Sequence, residues 1–296
     1  MASWLVGVRR SASPAGCAST ARLRWSGDPP TGLRPRARGG RPRGPDAVRA
    51  FLSDRSGLPG PRGNLELAEA WADAGPEAMV RVLADDADEF LRFCGVVGLG
   101  RLLAEASCAS RSGGAAPEPP RGAAGTEPEG SPHPAAVARE LTAMLRGRAT
   151  DASWRVREAV AMALQRVGDS APAVLRSLAT EWAADPHPLV QRAAVAGICE
   201  PRLLGDETTA AAALDACATA TDRLARRPTS ERRGADVRVL RQGLGYCWSV
   251  AVAAAPIPGL PRFLGLTDAY PGDSDVAWIA RENAKKKRLS ALLVAT

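Results

Sequence analysis

Asp85, Asp86, Asp88 and Glu89 are the densest run of carboxylates in this sequence. Such a cluster could hold a metal ion. It also precedes an apolar helical stripe, and there carboxylates suit the positive end of a helix dipole. The helix start is the reading adopted. Only His133 and His187 supply imidazoles, so a histidine-based metal site is not expected. Six cysteines stand at 17, 94, 108, 199, 217 and 247. No two fall within four residues, which excludes a zinc ribbon or a redox C-x-x-C. Cys94, Cys199 and Cys217 lie in apolar helix faces and read as buried thiols. These suit a reducing compartment, and a cytoplasmic location is expected. Gly95, Gly98 and Gly100 are not a dinucleotide loop, because no strand precedes them. Close helix packing explains them instead. There is no G-x-S-x-G, no phosphate-binding glycine loop and no H-E-x-x-H. No residue is assigned a catalytic, cofactor-binding or metal-binding role, and no cofactor is expected.

What these residues sit on is set by one stretch, Asp151 to Val167. It reads as a loop Asp followed by an amphipathic helix. Val156, Val160, Leu164 and Val167 recur on one face. Ala159 and Ala163 beside them would let a neighbouring helix come close. One such helix cannot bury its stripe alone. Its partner is Ala135 to Arg146, with Val137, Leu141 and Leu145. A second pair follows. Ser170 is expected to cap a helix carrying Pro172 in its first turn, with Leu175, Leu178, Ala179 and Trp182 as its stripe. Asp185 then reopens the pattern at a period of 34 residues, Val190 taking the place of Val156. A third copy lies upstream, where Asp86 to Cys94 superposes on Asp151 to Ala159 and Leu91 matches Val156. Arg92 and Arg157 each follow their Asp by six residues. Gln191 holds that place after Asp185. A weaker copy starts at Asp273, two residues shorter in its loop.

The alternation of two helices, the second opened by D-x-x-x-x-V-R-x-x-A, resembles the HEAT repeat. The tract Leu58–Leu67 and the segment Trp278–Leu289 are similar to parts of uncharacterised bacterial HEAT-repeat proteins. The resemblance spans roughly residues 46 to 296 and implies helix pairs stacked into a solenoid. It also implies that Asp86, Arg92, Asp151, Arg157 and Asp185 are corner residues tying adjacent loops, with Gln191 a departure. The expected fold is all-α: stacked antiparallel helix pairs forming a short, irregular HEAT-like solenoid. The function it implies is non-catalytic, a scaffold for an unidentified protein partner. Some DNA alkylation-repair glycosylases share this kind of solenoid. A nucleic-acid reading would use Trp154, Arg155, Arg192, Lys285, Lys286, Lys287 and Arg288 against phosphates and bases. No motif matches that family residue by residue.

Composition agrees with helices. Aromatic residues are 4% of 296, and much of the apolar 45% is alanine. The net charge of +7 misleads about partners. Residues 1–44 hold nine Arg and one Asp, leaving the rest at −1. That tail is rich in Pro, Gly and Arg, lacks a periodic stripe and reads as disordered. The remaining divisions are a helical lobe at 45–107, a low-complexity linker at 108–132 and helical repeats at 133–296. Within them, Asn64 is expected to cap a helix from Leu65, Pro76 to open another, and Thr208 to Ala225 to form a third. Thr229 to Gly234 reads as a turn. Pro256, Pro258 and Pro261 should interrupt the helix Asp236–Ala255. One final helix should run on from Ser274. No apolar run looks long enough to span a membrane, and no membrane partner is expected.

Overall fold

The computed structural model describes residues 44–60, 63–112 and 133–294. The tail at 1–43 and most of the expected linker lie outside the described residues. Among the described residues there are fifteen α-helices and no strand. They are α1 (Pro45–Asp54), α2 (Leu65–Ala74), α3 (Glu77–Leu83), α4 (Glu89–Ser112), α5 (Pro134–Arg148), α6 (Trp154–Ser170), α7 (Pro172–Ala183) and α8 (Pro188–Ile198). After a single 3-10 turn at Pro201–Leu203 come α9 (Glu207–Ala225), α10 (Thr229–Arg232), α11 (Ala235–Ala254), α12 (Pro256–Leu264), α13 (Leu266–Ala269), α14 (Ser274–Ala284) and α15 (Lys287–Val294).

The second helices of successive pairs, α4, α6, α8, α11 and α14, each pack on the next. Behind them α3, α5, α7 and α9 pack on α4, α6, α8 and α11. This is an all-α solenoid, built as the repeat pattern demands. Leu91, Val156 and Val190 occupy matching places on α4, α6 and α8, and all three are buried in one continuous core. That core runs from Leu52 to Leu289 and includes the fully buried Trp182 and Trp248. It does not divide at residue 107. α4 continues helically to Ser112 and packs against both α5 and α6.

The acidic corners have one construction. Each Asp accepts the backbone N–H two residues on: Asp86 from Asp88 (2.9 Å), Asp151 from Ser153 (2.8 Å), Asp185 from His187 (2.8 Å). That third residue then caps the helix. Asp88 takes the N–H groups of Phe90 and Leu91, Ser153 those of Arg155 and Val156, and His187 Nδ1 that of Leu189. In the shortened copy Asp273 is itself the cap, accepting from Asp275 and Val276. Burial alone would raise its pKa. The Val276 N–H and Arg232 outweigh that and hold it low.

Other helix ends follow from local chemistry. Asn64 Oδ1 accepts from Leu67 at 3.0 Å, as expected of a cap. α9 begins one residue early because Asp206 caps it, and hydrogen bonds from Thr208 and then Thr209 hold the Asp206 carboxyl down at about 2. Both histidines are caps before a proline, His133 accepting from Ala135 at 3.3 Å. Three expectations are corrected: the Ser170 cap, the turn at 229–234 and the single final helix. Ser170 ends α6 and does not cap α7, whose cap is the buried Ala171 with no side-chain bond. The turn at 229–234 contains the short α10. The prolines at 256–261 end α11 at Ala254 as expected, and a separate helix, α12, opens at Pro256 with Pro261 inside it. The final helix is two, α14 and α15, separated at Lys285–Lys286.

One further correction concerns α4. By length and composition it is apolar enough to cross a membrane. Its Gly- and Ala-rich sequence hides that, because small residues dilute any run of Leu or Val. Here the apolar faces meet α2, α3, α5 and α6 in the core.

Candidate functional site

The corner residues come together in part. Arg92 donates to the Asp86 and Ala87 carbonyls (2.5 and 3.1 Å) and reaches across to Asp151, Nε to Oδ2 at 2.9 Å. It therefore ties one loop to the next. Arg157 repeats only half of this. It bonds the carbonyls of Asp151 and Ala152 (2.6 and 3.0 Å). Asp185 is held instead by Arg146 of α5, at 2.7 Å. Gln191 keeps the loop-bracing half, Nε2 to the Asp185 carbonyl at 2.7 Å, while its Oε1 is buried without a partner. Asp86 at the first corner is paired by Arg49. The expected tie thus holds between Asp86 and Asp151 and lapses at Asp185.

Arg92 and Asp151 are both largely buried. Removing one partner of such a pair strands the other charge, although Asp151 retains Ser153 N–H and a longer contact to Arg148 at 3.7 Å. Arg92→Ala should therefore lower unfolding free energy by about 3 kcal/mol. Arg157→Ala, losing only bonds to carbonyls, should cost about 1 kcal/mol. Urea midpoints decide this, and equal losses from the two variants would contradict the account.

The exposed side of the row α6, α8, α11 and α14 carries the other singled-out residues. Trp154 is 42% exposed, and the Arg155 guanidinium lies 4.7 Å from its ring centre. Arg155 also pairs with Glu89 of α4 at 3.1 Å and donates to the Gly60 carbonyl at 3.3 Å. Arg192 of α8 pairs with Glu158 of α6 and donates to the Arg157 carbonyl at 3.2 Å. Arg241 of α11 pairs with Asp275 of α14 at 2.7 Å and covers Trp278 at 4.7 Å. Each of these three arginines is matched by a carboxylate of a neighbouring second helix. Aromatic rings lie beside two of them.

Lys285 to Arg288 lie further along, beyond α11. Lys285 pairs with Glu282 at 2.5 Å, and Arg288 donates to the Tyr246 hydroxyl at 2.9 Å. Lys286 and Arg288 both approach the Tyr246 ring, at 5.9 and 5.2 Å. These cations do not join Arg155 and Arg192 in one basic surface. Arg155 and Arg192 are already neutralised, so they offer little to a phosphate backbone. Sequence reasoning missed the partners Glu89, Glu158, Arg241 and Asp275. Glu158 and Arg192, like Arg241 and Asp275, nevertheless stand one repeat period of 34 residues apart.

On the opposite side, an open depression of about 1040 Å³ between α3 and α5 is lined by Arg49, Arg81 and Arg148. Each is paired: with Asp86, with Glu77 and Glu140, and with Asp85. Asp85, Asp86, Asp88 and Glu89 are thus spent on arginines and caps. Among the described residues, no group of three or more His, Cys, Asp or Glu is placed to hold a metal ion. Cys94, Cys199, Cys217 and Cys247 are buried, and Cys199 Sγ stands 3.6 Å from Cys217 Sγ. Burial pushes the Cys94 thiol up, and hydrogen bonding to a neighbouring thiol together with burial does the same for Cys199 and Cys247. Cys17 lies outside the described residues.

No family model matches the sequence, and no curated protein is significantly similar to it. Solved structures with some similarity to it include two designed proteins. One is a designed armadillo repeat protein, 17% identical over 84% of this chain and 92% of that one, with a TM-score of 0.34. The other is a designed armadillo repeat protein in complex with the peptide (KR)4, 16% identical over 82% and 92%, with a TM-score of 0.32. The chain's own stack of helix pairs, with its acidic corners, is a HEAT/armadillo-like solenoid.

Proposed function

We propose that this protein is a non-catalytic scaffold that binds a segment of a protein partner along the row α6, α8, α11 and α14. One observation carries the reading. The exposed side of that row is a neutral array of paired charges beside Trp154 and Trp278. Aromatic and arginine side chains are the residues on which binding energy concentrates at protein interfaces. Ion pairs between neighbouring helices hold these arginines in place, so little ordering is needed on binding. A nucleic-acid partner is the weaker reading, because the same pairing removes the uncompensated charge that phosphates require. The cytoplasm is the proposed compartment. Its support is the set of buried thiols, none in a disulfide although two sulfurs are close.

Selection of peptides from a displayed library on the full chain tests the proposal. Enriched peptides should slow amide exchange in α6, α8 and α11, and Trp154→Ala should weaken them about tenfold or more. Failure to enrich any peptide, or binding indifferent to Trp154→Ala and confined to another face, would sink it. Salt-sensitive binding of duplex DNA that requires Arg155 and Arg192 would replace it with the nucleic-acid reading.

A further inference from the structure

We infer that the partner segment bound along the row α6, α8, α11 and α14 is acidic, and that its carboxylates seat on a cation cluster where α11 meets α14 and α15. The inference rests on the peptide-binding reading above and names the chemistry of the peptide. The three lysines of the chain, Lys285 to Lys287, all lie here. From Val276 to Val294 there are five cations and one carboxylate, Glu282. Glu282 stands beside α11, since a Cβ built at Gly245 would lie 3.5 Å from its own Cβ. Lys285 pairs with it at 2.5 Å. That bond, with the charges of Lys285, Lys286 and Arg281, holds the Glu282 carboxyl below its usual range. One residue further along α11, Lys286 and Arg288 approach the Tyr246 ring at 5.9 and 5.2 Å. Four cations therefore gather around Glu282 and Tyr246. Among the described residues Arg281, Lys286 and Arg288 make no ion pair.

Elsewhere the arginines of the row are matched: Arg155 by Glu89, Arg192 by Glu158 and Arg241 by Asp275. Its uncompensated positive charge is thus concentrated at the α14 end, where it attracts and orients a negative segment. A track leads away from the cluster along α11. Arg238, Gln242 and Tyr246 stand four residues apart, which puts them on one side of the helix, and Arg238 and Gln242 are exposed. An extended acidic segment meets Arg238 there as a further cation. The aromatic rings of the cluster are occupied rather than open to bases. Trp278 packs against Gly245 and lies under Arg241 at 4.7 Å, and cations approach Tyr246. Single-stranded nucleic acids need such rings as stacking platforms, so the arrangement favours a peptide.

Fluorescence anisotropy on the full chain tests this with labelled peptides of about twelve residues, alternating Glu-Ala, Ser-Ala or Lys-Ala. The Glu-Ala peptide should bind at least about tenfold tighter than Ser-Ala at about 50 mM salt, and weaken about tenfold at about 500 mM. Residues 1–44 carry nine Arg and one Asp, so variants decide where the peptide sits. Arg281→Glu with Lys286→Glu breaks no ion pair and should cost Glu-Ala binding at least about tenfold. Arg139→Glu with Arg223→Glu makes the same change of net charge at exposed positions of α5 and α9, and should leave binding within about twofold. Circular dichroism confirms that each variant keeps its helices. Glu-Ala binding no tighter than Ser-Ala overturns the inference, as do equal losses in the two variants. So does duplex DNA that binds more tightly than Glu-Ala through Arg281 and Lys286. A library-selected peptide that needs Trp154 yet tolerates Arg281→Glu with Lys286→Glu overturns it too, and leaves the scaffold reading standing.

Discussion

Gly95→Ala lowers the stability of this protein by about 3 kcal/mol or more, one of the two largest effects expected of a single substitution in it. A Cβ built at Gly95 would stand 2.1 Å from Ala84 N, 2.4 Å from Leu83 C and 2.6 Å from Ala84 Cα. All three are backbone atoms at the end of α3. No rotamer change relieves the clash, so α3 must move off α4. Gly100→Ala should behave alike, since its Cβ would meet the Ala163 carbonyl oxygen at 2.4 Å and push α4 from α6. Gly98→Ala should be milder, because what it meets at 2.8 Å is the side chain of Val80. Gly147 is the control. It lies within α5 with nothing inside 4 Å of its Cβ position. There alanine should stabilise by about 0.5–1 kcal/mol through helix propensity alone. Chemical denaturation of the four variants ranks them. A Gly95→Ala chain as stable as the Gly147→Ala chain would contradict the packing described for α4.

That same helix shows what the sequence could and could not convey. The glycines were readable as close-packing residues because they fell inside a stripe with no strand before them. Their partners were not readable: nothing local says that Gly95 meets the end of α3 while Gly100 meets the middle of α6. The length of α4 was equally hidden, because Ser107, Ser110 and Ser112 resemble linker composition. In the helix, the Ser107 and Ser110 hydroxyls bond back to the carbonyls of Leu103 and Ala106. Local chemistry can therefore continue a helix through residues that composition assigns to a loop.

The repeat itself was legible because the corner motif is local. Asp151, Ser153 and Val156 lie within six residues and perform turn, cap and core in that order. The proposed binding face was not. Its defining pairs join residues 66, 34 and 34 positions apart: Glu89 with Arg155, Glu158 with Arg192, and Arg241 with Asp275. Arg155 and Arg192 were visible as cations, and their neutralisation was not. An arginine in a repeat sequence thus says little about phosphate binding until the adjacent helix is in place.

Asn283 is the second place where one substitution should be severe. It is fully buried on α14, and each polar atom is used. Oδ1 accepts the Ser249 N–H at 2.8 Å, and Nδ2 donates to the carbonyls of Leu244 (2.9 Å) and Ile279 (2.8 Å). The side chain is therefore a polar rivet between the last second helix and the middle of α11. Asn283→Ala leaves the Ser249 N–H and the Leu244 carbonyl under-satisfied in the core and opens a void, for a loss of about 4 kcal/mol. Asn283→Leu fills the void and keeps most of the loss, which separates the hydrogen-bond contribution from the packing one. Asn283→Asp should be as damaging at neutral pH. The carboxylate can accept from Ser249 but can donate to neither carbonyl, and burial disfavours its charge. Its folded-state pKa would then lie above the unfolded value. The folded chain binds the extra proton, so this variant alone gains stability relative to the wild type as pH falls from 7 toward 5. Amide exchange at Ser249, accelerated in the alanine and leucine variants and less so in the aspartate one, is the local readout. Exchange there unchanged by Asn283→Leu would mean that α11 satisfies itself without the rivet.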